Sequence, residues 1–178
     1  MAGTVGCVTA PGPAEDSSGG LENPDFEDGL TAWTVGRDLP ADPNTSGPVD
    51  SEASVTDERA ASGSRSVSLF WDGWQGDGTI GVQLARAGDA GQRLSVATYS
   101  EQESFNTITK LAVYAGPDPG RALVETDFDT SLAIEDHAGW KRATYPVVPA
   151  SEGLVAVGIS VVWETPVTRL LDDVRLTG

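Results

Sequence analysis

The sequence predicts an all-β protein, an antiparallel β-sandwich or barrel. Three observations carry this. Apolar and polar residues alternate in run after run, Gly, Pro and Asp cluster between the runs, and no segment keeps a convincing helical period. The 178 residues divide into a Pro/Gly/Ser-rich leader over 1–20 and a single domain over 21–178. A domain of that size builds a core without disulfide staples.

Within Ser66–Trp71, Val67, Leu69 and Trp71 share one face, as do Ile80, Val82 and Leu84 within Thr79–Leu84. Arg93–Glu101 sends Leu94, Val96 and Thr98 inward and Ser95, Ala97, Tyr99 and Glu101 outward. Ile108–Ala115 sets Leu111 and Val113 against Lys110, Ala112 and Tyr114. Leu123–Phe128 is a weaker strand, followed by Trp140–Val148. Leu154–Glu164 aligns Val155, Val157, Ile159 and Val161, and Leu170–Leu176 closes the domain. Turns are expected at Asp72-Gly73, Gly76–Gly78, Ala87–Gly91 and Gly116–Gly120. Ser131–His137 has room for one helical turn. Leu39–Ala53, polar and proline-rich, reads as a long loop.

The 27 acidic residues against 11 basic ones give a net charge of −16. Such a surface repels phosphate backbones and anionic lipid, which excludes nucleic-acid and membrane-surface binding as the main activity. Only Lys110 and Lys141 are lysines. Adaptation to high salt and a genome that favours Arg, Ala, Gly and Asp codons both account for this balance. Cys7 and His137 are each the only residue of their type, which removes disulfide frameworks and His- or Cys-rich metal clusters. Thr4-Val5-Gly6-Cys7 reads as the tail of a lipoprotein signal with a lipid-modified Cys7, or as an incidental cysteine in a tail. The first reading implies an extracellular or cell-surface protein that meets the membrane only through its anchor.

Two motifs bracket the domain. Leu21-Glu22-Asn23-Pro24-Asp25-Phe26-Glu27-Asp28-Gly29 leads to Trp33, and Leu171-Asp172-Asp173-Val174-Arg175-Leu176 closes the chain. Between them lie Ala61-Ser62-Gly63-Ser64-Arg65-Ser66-Val67-Ser68-Leu69, Val82-Gln83 and Gly139-Trp140-Lys141-Arg142. This order resembles the carbohydrate-binding modules of the galactose-binding-like jelly-roll type, which take xylan, β-glucan and related glycans. The resemblance spans residues 21–178. It implies an antiparallel jelly-roll sandwich, a glycan or polysaccharide as ligand, no catalysis, and a monomer.

Asp25, Glu27 and Asp172 form the first candidate site. Asp172 shares parity with Val174 and Leu176, so its carboxylate is expected to point inward, at a cost unless it is paired or bound to a metal. Hard oxygen ligands suit Ca²⁺. The resemblance implies a structural Ca²⁺ held by the Asp25 carbonyl, Glu27, Asp172 and a carbonyl near Ser64-Arg65. The alternative is that Glu27 and Asp172 pair with arginines or cap backbone amides, and Asp173 replaces Asp172 if the register shifts by one.

The second candidate site is aromatic, because sugar rings stack on flat apolar side chains. Trp74, in a Gly/Asp/Gln loop, has no periodic reason to be there and is the foremost candidate platform. Tyr99 and Tyr114 are placed on one outward face with Glu101 and Gln102 as hydrogen-bonding partners and with Lys110 beside Glu101. Trp71 is read as packing and is kept as a further ring for a ligand. Trp33 and Trp140 match core positions of the resembling family. Trp163 ends a buried strand and either closes the core or rims the groove, and Glu164 is a further hydrogen-bonding partner for sugar hydroxyls.

Catalysis is the competing class. Glu101 and Glu103 are the nearest pair for glycoside hydrolysis, and His137 the only residue for a triad. Neither makes a recognisable constellation. The expectation is therefore non-catalytic glycan binding. Its alternative is a structural or adhesion domain whose aromatic face is covered.

Overall fold

Strand alternation sorts this chain into two layers. The computed structural model describes residues 20–72, 78–101, 108–163 and 166–178. Its strands are β1 (Thr34–Asp38), β2 (Asp50–Thr56), β3 (Ser66–Asp72), β4 (Gly78–Ala85), β5 (Arg93–Ser100), β6 (Ile108–Pro117), β7 (Asp129–Ala133), β8 (Gly139–Pro146), β9 (Gly153–Trp163) and β10 (Val167–Thr177). They form two five-stranded sheets, ordered β1-β4-β9-β6-β7 and β2-β3-β10-β5-β8. Every pairing is antiparallel. The expected antiparallel sandwich is the observed one.

The predicted inward faces meet between the sheets. Val67, Leu69, Trp71, Leu94 and Val96 from the second sheet pack against Ile80, Val82, Leu111, Val157 and Ile159 from the first. Each such side chain contributes roughly 1.5–3 kcal/mol by leaving water. Toward one end the core turns polar. Arg169 of β10 donates from Nε to Thr109 Oγ1 of β6 at 3.1 Å and through Nη2 to Glu135 at 2.9 Å, so a buried ion pair staples the two sheets.

The amino-terminal motif is a set of turns and not a strand. Asn23 organises it: Oδ1 accepts from the Asp28 N–H, and Nδ2 donates to the Gly29 and Thr31 carbonyls. Trp33 Nε1 donates back to the Asn23 carbonyl at 2.9 Å. Phe26 is wholly buried, 5.3 Å from the Trp33 ring. The motif joins β10 through a bond from the Val174 N–H to the Pro24 carbonyl, 2.8 Å long.

Three local expectations change. The end of the supposed loop, Asp50–Ala53, belongs to the edge strand β2, whose outer face needs no apolar residues. Thr34–Asp38 adds a further edge strand. Leu123–Phe128 is no strand: Glu125–Asp127 is a 3₁₀ turn, in a segment laid across the outer face of the first sheet. The helical turn within Ser131–His137 is confined to Ile134–Asp136, after the short strand β7.

Candidate functional site

The outer face of the second sheet is set by register. Leu171 and Val67 point inward as a pair, so their neighbours Leu170 and Ser68 point out. Leu170 also faces Tyr99, Tyr99 faces Trp140, and Thr168 faces Phe70. The loop between β2 and β3 folds back over this surface. Together they enclose a groove of about 340 Å³, floored by Phe70, Leu170 and Tyr99 and rimmed by Glu58, Arg59 and Glu101. This volume falls within the roughly 300–1,000 Å³ of ordinary ligand pockets.

The Arg59 guanidinium lies 4.8 Å above the Tyr99 ring and 3.2 Å from a Glu101 oxygen. The opposite side of the motif is closed by Trp140, whose ring meets Tyr99 edge-on at 5.4 Å. An exposed cation–π contact contributes about 0.5–1 kcal/mol and an exposed ion pair about as little. Arg59 is therefore a lightly held cover that a ring stacking on Tyr99 displaces at small cost.

Of the residues expected in the aromatic site, the structure brings Tyr99 and Glu101 together. It separates Tyr114 and Lys110 from them. Strands β5 and β6 are consecutive in the chain but belong to different sheets, so Tyr99 and Tyr114 lie on opposite outer faces of the sandwich. Glu101 pairs with Arg59 and not with Lys110. Trp71 is 1% exposed and packs between the sheets, out of reach of a ligand in the groove. Trp140, expected in the core, is half-buried on the outer face beside Tyr99. Trp74, Gln102, Glu103, Glu164 and Cys7 lie outside the described residues, as does the side chain of Trp163. Sequence reasoning missed Phe70, although the alternation of Ser66–Asp72 puts it outward. It also missed Arg59, for which a loop offers no periodic signal.

The opposite face is closed by the chain itself. Leu123 and Phe128 pack on Tyr114, Leu154 and Ala156. Glu125 bolts the segment down: its N–H donates to Asp38 at 2.7 Å, and its carboxylate accepts from Ser160 Oγ at 2.5 Å. Arg121 grips Asp127 with two bonds of 2.7 and 2.8 Å, which, with the Val124 N–H, hold the Asp127 carboxyl down at about 2. Tyr114 donates to the Pro117 carbonyl, and burial pushes its phenol up. A recess of about 180 Å³ stays open over Gly36 and Gly81.

At the carboxylate cluster, Asp172 departs from its expected direction. Leu171 and Val174 both reach the core, so the alternation slips between them, at a bulge where Asp173 has φ of 54°. Asp172 therefore points to the outer face, yet it is 0% exposed because residues 61 and 62 cover it. Its Oδ2 accepts from the Ala61 and Ser62 N–H groups at 2.6 and 2.8 Å, and its Oδ1 accepts from the Asp173 N–H at 2.6 Å. Burial pushes this carboxyl up to about 6 against the pull of those donors. Glu27 Oε1 accepts from the Ser64 and Arg65 N–H groups and Oε2 from Ser64 Oγ. Those bonds, Ser64 first, hold its carboxyl below the usual carboxylate range.

Calcium takes about 6–8 oxygen ligands. The groups aimed at Glu27 and Asp172 are N–H donors, which a cation would have to displace. Asp25 sits in the turn between Pro24 and Phe26. Among the described residues no group of three or more Asp, Glu, His or Cys side chains converges for a metal. Amide donors occupy both carboxylates, and both hold the same loop, Asp172 to β10 and Glu27 to the amino-terminal turns. Asp173 instead serves Arg142 and Arg175. His137 shows no triad geometry: Nδ1 lies 3.1 Å from an Asp136 oxygen and Nε2 lies 3.3 Å from the Thr98 carbonyl.

No protein-family model matches the sequence, and no curated protein matches it. Solved structures do. The chain is similar to the carbohydrate-binding module TmCBM61, solved with β-1,4-galactotriose, at 19% identity and a TM-score of 0.52, covering 88% of this chain and 96% of that one. The C-terminal family 22 carbohydrate-binding module of Clostridium thermocellum Xyn10B matches at 16% identity and a TM-score of 0.53, covering 91% and 96%. A cyclase from Fischerella sp. TAU, in complex with 4-(1H-indol-3-yl)butan-2-one, matches at 16% identity and a TM-score of 0.58, covering 90% and 96%. The fold is the jelly-roll sandwich of the carbohydrate-binding modules, a fold that also carries enzymes.

Proposed function

We propose that this chain is a non-catalytic carbohydrate-binding module that takes a glycan in the groove over Phe70, Leu170 and Tyr99. One observation carries the reading: an aromatic floor lies open beside Glu58, Glu101 and Arg59, whose carboxylates and guanidinium suit sugar hydroxyls. The non-catalytic part rests on His137, whose nitrogens face Asp136 and Thr98 in place of a nucleophile. Extracellular display as a monomer, tethered through lipid on Cys7, belongs to the same proposal and is supported by the Pro/Gly/Ser-rich leader. Radiolabelled fatty acid incorporated by the wild type and not by Cys7→Ala tests the tether.

The binding test is affinity electrophoresis across neutral polysaccharides, repeated with Tyr99→Ala and Phe70→Ala. Loss of a stacking ring is expected to weaken binding about tenfold, which corresponds to about 1.4 kcal/mol. A folded wild type that no polysaccharide retards overturns the reading. The second reading, a structural or adhesion domain, is favoured by the segment that roofs Tyr114. It gains ground if both aromatic variants bind as the wild type does.

A further inference from the structure

The outer face of the second sheet continues beyond the groove. Along β5, Tyr99 is followed on the same face by Ala97, Ser95 and Arg93, at intervals of about 6.8 Å. Arg142 of β8 stands opposite Ala97, and Arg175 of β10 stands opposite Ser95. The β2–β3 loop covers β10 at Asp172 and the Tyr99 end of β5, and the arginines lie past it.

Two of these three arginines share one carboxylate. Arg142 reaches across β5, donating to Ser95 Oγ at 3.1 Å, to the Asp173 carbonyl at 2.9 Å and to the Asp173 carboxylate. Arg175 gives its Nε–H to the other oxygen of Asp173 at 2.5 Å, and its terminal nitrogens have no partner among the described residues. Arg93 touches the Thr144 carbonyl at 3.4 Å. The side chains of Arg142 and Arg175 are 40% and 37% exposed, while that of Asp173 is 7% exposed. A chain with 27 acidic residues for 11 basic ones offers every arginine spare carboxylates. This strip instead sets Arg142 and Arg175 on one carboxylate with Arg93 beside them on the same face, a local excess of positive charge. Asp173 holds two of the guanidinium groups in place, with donors directed outward.

We infer that the ligand is an anionic polysaccharide, one whose sugars carry carboxylate or sulfate groups. It stacks in the groove and lays its charges along Arg142, Arg175 and Arg93. This rests on the glycan reading above and names its substrate class. Planar guanidinium forks suit both anions. At about 0.15 M salt the Debye length is roughly 8 Å, so the protein's remote carboxylates are screened while direct guanidinium contacts are not.

The test compares matched polymers at about 0.15 M salt: polygalacturonate against its methyl ester, and dextran sulfate against dextran. At least one charged polymer is expected to bind about tenfold or more tighter than its neutral partner, and the two pairs tell carboxylate from sulfate. Arg175→Ala and Arg93→Ala are expected to remove that preference while leaving the melting temperature and any neutral binding in place. Arg93, which serves no buried carboxylate, keeps the test valid if Arg175→Ala proves unstable. Equal affinity within both pairs, or a preference that survives both variants, overturns the inference and leaves glycan binding standing. Tighter binding of a single-stranded oligonucleotide than of any polysaccharide also overturns it. Failure of every polymer, neutral or charged, overturns the glycan reading itself.

Discussion

Gly63 offers the most direct test of how the β2–β3 loop is held over the sheet. It has φ of 63°, and a methyl placed on it would lie 2.7 Å from Glu27 Cδ and 3.2 Å from Cγ. Alanine in this left-handed region costs about 1–2 kcal/mol, and forcing a methyl into an occupied space adds about 1–3 kcal/mol. Gly63→Ala is therefore expected to lose about 3 kcal/mol. For a domain of this size each kcal/mol moves the melting temperature by roughly 2–4 °C, so far-ultraviolet circular dichroism should record a drop of roughly 6–12 °C. In a Glu27→Ala background the methyl has room and only the backbone cost remains, so Gly63→Ala should lower the melting temperature there by about half as much. A drop below about 2 °C in the wild-type background, or the same drop in both, refutes the idea that Glu27 and Gly63 form one fitted cradle.

Glu135→Ala takes the carboxylate from a guanidinium that is 4% exposed, and thermal melts should show a loss of about 3–5 kcal/mol; a loss under about 1 kcal/mol means that the pair staples nothing. If amide capping suffices at Glu27 and Asp172, a calcium chelator leaves the melting temperature unchanged, whereas a drop of several degrees, reversed by added Ca²⁺, restores the structural ion implied by the resemblance. Burial lifts the Asp172 carboxyl from 3.8 to about 6, so its contribution to stability is fully present below about 3.8 and is lost as pH rises through about 6. Relative to Asp172→Asn, the wild type should gain about 1.4 kcal/mol on going from about pH 7.5 to 5, or roughly 3–6 °C; a difference that stays flat or moves the other way removes the raised carboxyl.

Legibility in the sequence followed how local each cause was. The strand faces of Ser66–Trp71, Arg93–Glu101 and Leu154–Val161 could be read because each inward residue repeats at the period of the backbone itself. The Asn23–Trp33 motif could be recognised because its turn bonds lie within a few residues of one another. Asp172 was misdirected because one left-handed residue, Asp173, resets the period, and nothing in the alternation marks where that happens. Tyr99 and Tyr114 were placed together because period gives the face of a strand and says nothing of which sheet holds it. Leu123–Phe128 reads as a weak strand because it is apolar at both ends, and Leu123 and Phe128 cover a sheet from outside.

The same distinction bears on where a ligand can sit. The two outer faces of this sandwich are chemically unlike. The first runs over Gly36, Gly81, Gly158 and Ala112, with Thr79 and Gln83 beside them and, among the described residues, no aromatic ring in its open recess but Phe128, and Leu123 and Phe128 already occupy part of it. To open it, a ligand must replace their packing on Tyr114, Leu154 and Ala156 and break the bonds from Glu125 to Asp38 and Ser160. On the second face, among the described residues, the cover over the Tyr99 ring is Arg59, held by one ring and one exposed carboxylate. Moving it costs about 1–2 kcal/mol by the magnitudes of such contacts, well below what displacing packed Leu and Phe side chains requires. The net charge of −16 points away from anionic partners when spread over the whole surface. Yet along the face that holds the easily opened ring the charge is reversed, by Arg142 and Arg175 on Asp173 with Arg93 beyond them. Contact specificity is decided at that local scale, within a Debye length, and not by the sum over the chain.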